Sequence, residues 1–216
     1  MNHQTKPIFW SFRRCPYAMR ARLAVKSSGI EVHLREILLR DKPDEFLQAS
    51  QKGTVPVLEV GDGQVIDESL DVMFWALSQS DPEGWLDIYH RDKAAVEQHL
   101  SSLDTKFKFH LDRYKYATRY DDVDEKIHRQ EAVIFLESWN EKLTAQTALS
   151  GSNNGILDYA TLPFVRQFRI ADMEWFDAQD WPALHLWLQT FLNSERFASV
   201  MTKYAPWKDT GEEHLF

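Results

Sequence analysis

The chain contains one cysteine in 216 residues, and its setting is the first feature that could do chemistry. Cys15 lies in "RRCPYAMRARLAVKSSG" (13–29), between two arginines and a proline, where a helical pattern begins. Proline is tolerated in the first helical turn because the N–H that it lacks would have no intrahelical partner there. Pro16 at that position makes Cys15 the N-cap residue, beside free backbone N–H groups and the positive end of the helix macrodipole. A thiol so placed is expected to ionise below the ordinary cysteine value of about 8.5, in the range of roughly 3.5–7.5. Arg13 and Arg14 add positive charge, although salt screens exposed groups. The alternative role for a lone cysteine is that of a small buried hydrophobe, and the Cys-Pro helix start weighs against it.

The residue three positions on decides which thiol chemistry is open. A Cys-x-x-Cys pair resolves its own mixed disulfide, but here the fourth position is Ala18. Cys15 therefore needs an external thiol of low mass, and glutathione is the obvious one in a reducing compartment. With one cysteine no intrachain disulfide can form, which fits such a compartment. The start, "MNHQTKPIFWSF", lacks the apolar run of a signal peptide, and no stretch approaches the roughly 18 apolar residues of a membrane span. A cytoplasmic location without a membrane partner is expected. The balance of 25 basic and 33 acidic residues, net −8, argues against a nucleic-acid partner held by phosphate neutralisation. The eight histidines show no HExxH or Cys/His spacing, so no metal site is expected, and His99 and His110 read as ordinary core or surface residues.

The elements that must position Cys15 alternate in type. "KPIFWSF" (6–12) reads as a strand, and Ala18, Ala21 and Val25 mark a helix from Pro16 to Ser28 that ends at Gly29. "EVHLREILL" (31–39) reads as a second strand with Val32, Leu34, Glu36 and Leu38 on one face. "DKPDEFLQAS" (41–50) reads as a short helix capped by its first aspartate. "TVPVLEV" and "QVID" flank "GDG" (61–63), a hairpin signal. A helix from about Ser69 carries Leu70, Met73, Phe74 and Leu77 at helical spacing. Beyond "SQSDPEG" (78–84) only helical patterns remain, near 87–117, 123–146, 156–171 and 182–202. The expected architecture is an α/β domain over 1–79, β-α-β-α-β-β-α, followed by an all-helical domain over 87–216.

"CPYA", this element order, "KGTVPVL" (52–58) and "DESLDV" (67–72) together resemble the cytosolic glutathione transferases. The likeness is to the cysteine-type classes, omega-like and glutaredoxin-like, in a bacterial-style member, and it extends over essentially the whole chain. It implies a thioredoxin-like glutathione-binding domain and an all-α C-terminal domain. It also implies that Pro56 matches a cis-proline and that Val55 pairs its backbone with the cysteinyl unit of glutathione. Glu68 and Ser69 match an acidic-Ser pair that holds the γ-glutamyl amine and carboxylate. Lys42 matches a lysine directed at the glycyl carboxylate, and Pro16 and Tyr17 complete the glutathione site next to the catalytic Cys15. In "GILDYATLPF" (155–164) the family's reciprocal capping box is broken, because Gly155 stands where a Ser or Thr would cap. Asp158 is expected to bond backbone N–H groups by itself.

By the same resemblance a second substrate binds between the domains. "KFKFHLDRYKYATRY" (106–120) places Phe107 and Tyr114 on one helix face and Phe109 and Tyr116 on another, with Tyr114 the best pocket residue. Trp207 in "TKYAPWKD" is a further rim residue, and the acids of "YDDVDE" (120–125) read as a helix start. The expected function is glutathione-dependent thiol transfer through Cys15 to mixed disulfides or small oxidised substrates, in a homodimer. Two alternatives stand beside it. One is conjugation of glutathione to electrophiles, with Ser11 or Tyr17 holding the thiolate; the other is a non-catalytic partner-binding module on the same fold.

Overall fold

The computed structural model describes residues 6–216; Met1–Thr5, part of the start discussed above, lie outside the described residues. The chain divides into two compact units, one of the described residues up to Glu83 together with Glu195–Phe216, the other of Gly84–Ser194.

In the first unit, β1 (Ile8–Ser11) runs parallel to β2 (His33–Glu36), joined by α1 (Pro16–Ser28). Phe9 and Trp10 of β1 are fully buried, as is Leu34 of β2, so this pair forms the middle of the sheet. Gly29 ends α1 in the left-handed conformation, φ 71°, which glycine adopts without a Cβ clash. The α2 helix (Asp44–Ala49) leads to a cis Val55–Pro56 bond and then to β3 (Val57–Gly61) and β4 (Gln64–Ile66). Asp62 and Gly63 turn the hairpin with φ of 51° and 77°, the left-handed pair that matches strand twist. The α3 helix (Ser69–Gln79) follows. β3 is antiparallel to β1 with Trp10 opposite Val57, so the end of β1 that leads to Cys15 lies beside the Pro56 end of β3.

Two features differ from the expectation. The all-helical reading of 87–216 included the last 22 residues, yet Glu195–Phe216 belong to the first unit. They form α11 (Glu195–Val200), α12 (Trp207–Thr210) and a fifth strand, β5 (His214–Leu215), which pairs antiparallel with β2 and gives the sheet order β4-β3-β1-β2-β5. The Phe216 and Val32 backbones exchange hydrogen bonds of 3.0 and 3.1 Å. A two-residue strand within "GEEHLF" has no alternation to read. Secondly, α2 is capped by Pro43 in extended conformation and not by Asp41, which forms an ion pair with Lys208.

The second unit holds α4 (Asp87–Arg91), α5 (Lys93–Ser102), α6 (Lys108–Lys115), α7 (Glu125–Ala145), α8 (Ile156–Ala171), α9 (Met173–Asp177) and α10 (Pro182–Leu192). A π-helical turn, Leu103–Phe107, separates α5 from α6 and turns Phe107 into the core against Trp139 and Phe168. Asp124 caps α7 by accepting the Lys126 N–H at 2.8 Å. Asp158, fully buried, accepts the N–H groups of Leu149 (2.7 Å), Ser150 (3.0 Å) and Gly155 (3.0 Å) and the Trp187 indole N–H (3.0 Å). Half of the capping box thus survives, as the sequence implied. A Cβ at Gly155 would stand 2.9 Å from Ser150 Oγ and 3.1 Å from the Trp85 carbonyl, so that space is already filled.

Candidate active site

Cys15 is the N-cap residue of α1, with φ −75° and ψ 125°, and Pro16 follows at the first helical position. The Cys15 N–H donates to the Phe12 carbonyl (3.0 Å), and its carbonyl accepts the Met19 N–H (2.9 Å). The turn is thereby closed on one side and the helix opened on the other. The half-buried thiol lies 3.8 Å from the Val55 carbonyl, its weak acceptor, just before the cis Pro56. Cys15 also packs against a cluster of Trp10, Ala18, Ile37, Phe46, Val55 and Val57, to which Trp207 contributes. Trp207 stands edge-on to Trp10 at 5.1 Å, and the Arg35 guanidinium lies 4.7 Å from both rings.

Ser69 opens α3 behind Glu68, its N-cap residue. Its hydroxyl is buried and accepts two hydrogen bonds from the Arg20 guanidinium, 3.0 Å from Nε and 2.9 Å from Nη2. Arg20, itself 1% exposed, lies over the Tyr17 ring at 5.1 Å. Lys52 binds Glu68 (2.7 Å) and Asp67 (2.9 Å), and Ser50 donates to Asp67 (2.7 Å). The bonds to Glu68 and then Asp67 raise the Lys52 ammonium pKa, and Lys52 followed by Ser50 lowers that of the Asp67 carboxyl. The Lys42 ammonium lies 3.4 Å from the Cβ position of Gly53, over the turn that leads into Val55.

These contacts link Tyr17, Arg20, Ser69, Glu68, Lys52 and, through the 52–55 turn, Val55 and Cys15. Lys42 borders the same turn, and all of these residues and Trp207 lie in the first unit. Tyr114 lies in the second, 8% exposed, with its ring 4.9 Å from Phe168. Arg20 and Lys52 were not singled out from sequence. An arginine five residues after Cys15 on a helix with Ala18 and Ala21 was the available signal for the first.

Ser11, an alternative thiolate holder, is fully buried, and its hydroxyl accepts from Arg22 Nε at 2.7 Å. A cavity of about 300 Å³ lined by Lys6, Ile8, Glu59, Gly61, Gly63, Gln64 and Val65 lies at the opposite end of the sheet, where β1 begins. Among the described residues, no group of three or more His, Cys, Asp or Glu side chains is placed to hold a metal ion.

Residues 9–84 match the family model described as "Glutathione S-transferase, N-terminal domain". The chain belongs to the glutathione transferase family. It is 29% identical over 197 residues to "Glutathione S-transferase omega-1" of Sus scrofa, covering 88% of this chain and 78% of that protein. The fold matches that of glutathione transferase Omega 3C from Trametes versicolor with a TM-score of 0.74 and 18% identity, over 95% of this chain and 94% of that one. A glutathione transferase family member from Pseudomonas fluorescens, solved with two glutathione bound, matches with a TM-score of 0.69 and 15% identity, over 93% and 94% of the chains. Within this transferase, the strand–turn–helix that carries Cys15, from its second residue Phe9, and the segment through Ser69 lie inside the matched region.

Proposed function

We propose that this glutathione transferase works by thiol exchange, with Cys15 as the nucleophile and glutathione as co-substrate. The observation that carries this is the half-buried thiol of Cys15, at the start of α1 and 3.8 Å from the Val55 carbonyl, in a chain with no second cysteine. The Cys15 thiolate attacks the glutathione sulfur of a mixed disulfide, and the substrate leaves as a thiolate that takes up a proton. The enzyme then carries a Cys15–glutathione disulfide. A second glutathione thiolate attacks the glutathione sulfur of that disulfide, which releases oxidised glutathione and restores the Cys15 thiolate. Two glutathione sulfurs end oxidised, and one substrate sulfur ends reduced.

Glutathione lies with its cysteinyl backbone against Val55 before Pro56, as an added strand would. Its γ-glutamyl end meets Glu68 and Ser69 at the start of α3, where the helix dipole favours a carboxylate. Its glycyl carboxylate meets Lys42, and Pro16 and Tyr17 border the thiol. Trp207, packed on the Cys15 cluster, borders the second substrate on this reading. A homodimer in a reducing, cytoplasmic setting completes the proposal.

Conjugation of glutathione to electrophiles through Ser11 is the weaker reading, because Ser11 has no exposed surface on which to meet a thiolate. Retention on immobilised glutathione separates either activity from a non-catalytic binding module. The deciding experiment is alkylation of Cys15 against pH, followed by intact-protein mass, with and without oxidised glutathione. An apparent pKa well below 8 and a single glutathione adduct are expected, both absent in Cys15→Ala. An ordinary thiol profile without an adduct would overturn the proposal.

A further inference from the structure

Beneath the Cys15 turn lies a buried ion pair that thiol exchange itself does not use. Arg22 is fully buried and Glu36 is 5% exposed. The Arg22 guanidinium donates through Nε to Ser11 Oγ (2.7 Å), through Nη1 to the Val200 carbonyl (3.0 Å) and through Nη2 to Glu36 Oε2. The other carboxylate oxygen, Oε1, accepts the Arg13 N–H at 2.9 Å. The Ile37 N–H donates to the Ser11 carbonyl at 2.9 Å, and the Cys15 N–H to the Phe12 carbonyl at 3.0 Å. The five residues from the end of β1 to the helix start are therefore held at Ser11, Arg13 and Cys15. Two of these holds run through the ion pair.

The placement is specific. Arg22 lies seven residues after Cys15, two turns along the same helix, and binds the turn back onto the helix that Cys15 caps. It also reaches α11, so one guanidinium joins the ends of β1 and β2 with the returning C-terminal segment. Burial lowers the Arg22 pKa, and Glu36 opposes that shift; Tyr204 and Arg13 are the further titratable or charged groups that act on Arg22. With its charge matched by Arg22, Glu36 does not oppose a thiolate nearby. Stability alone does not require such a pair, since apolar residues of similar volume often replace buried ion pairs without loss.

We propose that Arg22 and Glu36 are positioning residues for Cys15: by pinning Ser11 and the Arg13 amide, they hold the thiol where the helix start ionises it. This rests on the thiol-exchange proposal above. The test compares the pH profile of Cys15 alkylation in the wild-type chain with Arg22→Met/Glu36→Leu, Arg22→Met/Glu36→Gln and Ser11→Ala, each checked for fold by circular dichroism. The Met/Leu pair removes both holds. Its apparent pKa should rise by about one unit, with alkylation at a pH below the wild-type midpoint slower on the order of tenfold. The Met/Gln pair keeps an acceptor for the Arg13 N–H and should recover part of that loss. Ser11→Ala removes one hydroxyl and leaves the ion pair intact, so alkylation below the wild-type midpoint should slow by roughly twofold, a shift of about 0.3 unit.

If the wild-type thiol ionises early and the folded variants share its profile, the positioning role is overturned while thiol exchange stands. If the wild-type profile is that of an ordinary thiol, thiol exchange falls and the positioning role with it. Should Met/Leu not fold, Ser11→Ala and Met/Gln carry the test: unchanged profiles in the one or two that fold overturn the positioning role.

Discussion

Replacing Arg20 tests how the start of α3 recognises glutathione. The Ser69 hydroxyl has two acceptor lone pairs and one proton to donate. Arg20 donates to it twice, at 3.0 and 2.9 Å, so the lone pairs are spent and the proton is left for another acceptor. Ser69 is thereby fixed as a donor, above a buried cation and at a helix N-terminus, and each feature favours an anion. A hydrogen bond to a charged group contributes about 1.5–3 kcal/mol. Glutathione should accordingly bind roughly 10- to 150-fold more tightly than 4-aminobutyryl-cysteinyl-glycine, which lacks only the γ-glutamyl α-carboxylate. In Arg20→Met that preference should fall by at least half in free energy, and Ser69→Ala should give a similar loss. The two changes together should lose less than their sum, because they remove one coupled unit. Isothermal calorimetry with both ligands reads the preference directly. An Arg20→Met protein that keeps the full preference, whether or not both affinities fall together, would refute the recognition scheme and leave Arg20 a structural role only.

Cys15→Ala should reduce glutathione-dependent reduction of a mixed disulfide, followed by release of the free substrate thiol, to the uncatalysed rate, while glutathione affinity measured by calorimetry changes little. His99, on α5, contacts Thr161 at 3.0 Å, and burial lowers its pKa to about 4 from 6.5. Below pH 6.5 the unfolded chain takes up a proton that the folded one refuses, so stability falls from pH 6.5 down to about 4, by up to about 3 kcal/mol. Urea unfolding of wild type and His99→Gln across that range should show the fall in the wild type only; parallel curves would exclude His99 as its source. Gly155→Ala places a methyl against Ser150 Oγ and the Trp85 carbonyl, and should destabilise by about 1–3 kcal/mol in urea. Adding Ser150→Gly should recover part of that, and no recovery would place the strain elsewhere.

The site was legible in the sequence where one residue type has one local use. Cys15 before Pro16 implies an N-cap, and the structure has that cap. Gly61–Gly63 implies the hairpin, and Asp62 and Gly63 do turn left-handed. Long-range satisfaction was not legible. Arg20 and Arg22 were not singled out in the sequence, yet both are buried because their acceptors arrive from Ser69, Ser11, Glu36 and Val200. Glu36 was placed on one strand face with Val32 and Leu34, and all three are buried, but its partner lies 14 residues away on another element. The return of 195–216 to the first unit escaped for a similar reason. Its hold on the sheet is a two-residue strand and the backbone exchange between Phe216 and Val32, and neither leaves a periodic pattern.

The strand–turn–helix offers three side chains within seven residues that could act on a sulfur: Ser11, Cys15 and Tyr17. Their surroundings divide the work. Ser11 lies at zero exposure and accepts from Arg22, so its oxygen serves the support beneath the turn. Tyr17 offers its ring face to Arg20, which turns its two donors on Ser69. Cys15 alone combines partial exposure with the helix N-cap and a weak contact to the backbone beside Pro56. A hydroxyl that holds a glutathione thiolate must donate to it, and Ser11 has no exposed surface from which to do so. A thiol in its place would bond to glutathione instead of merely holding it. On the exchange proposal, Ser11 serves the support of the turn and the partly exposed Cys15 is the group that reacts.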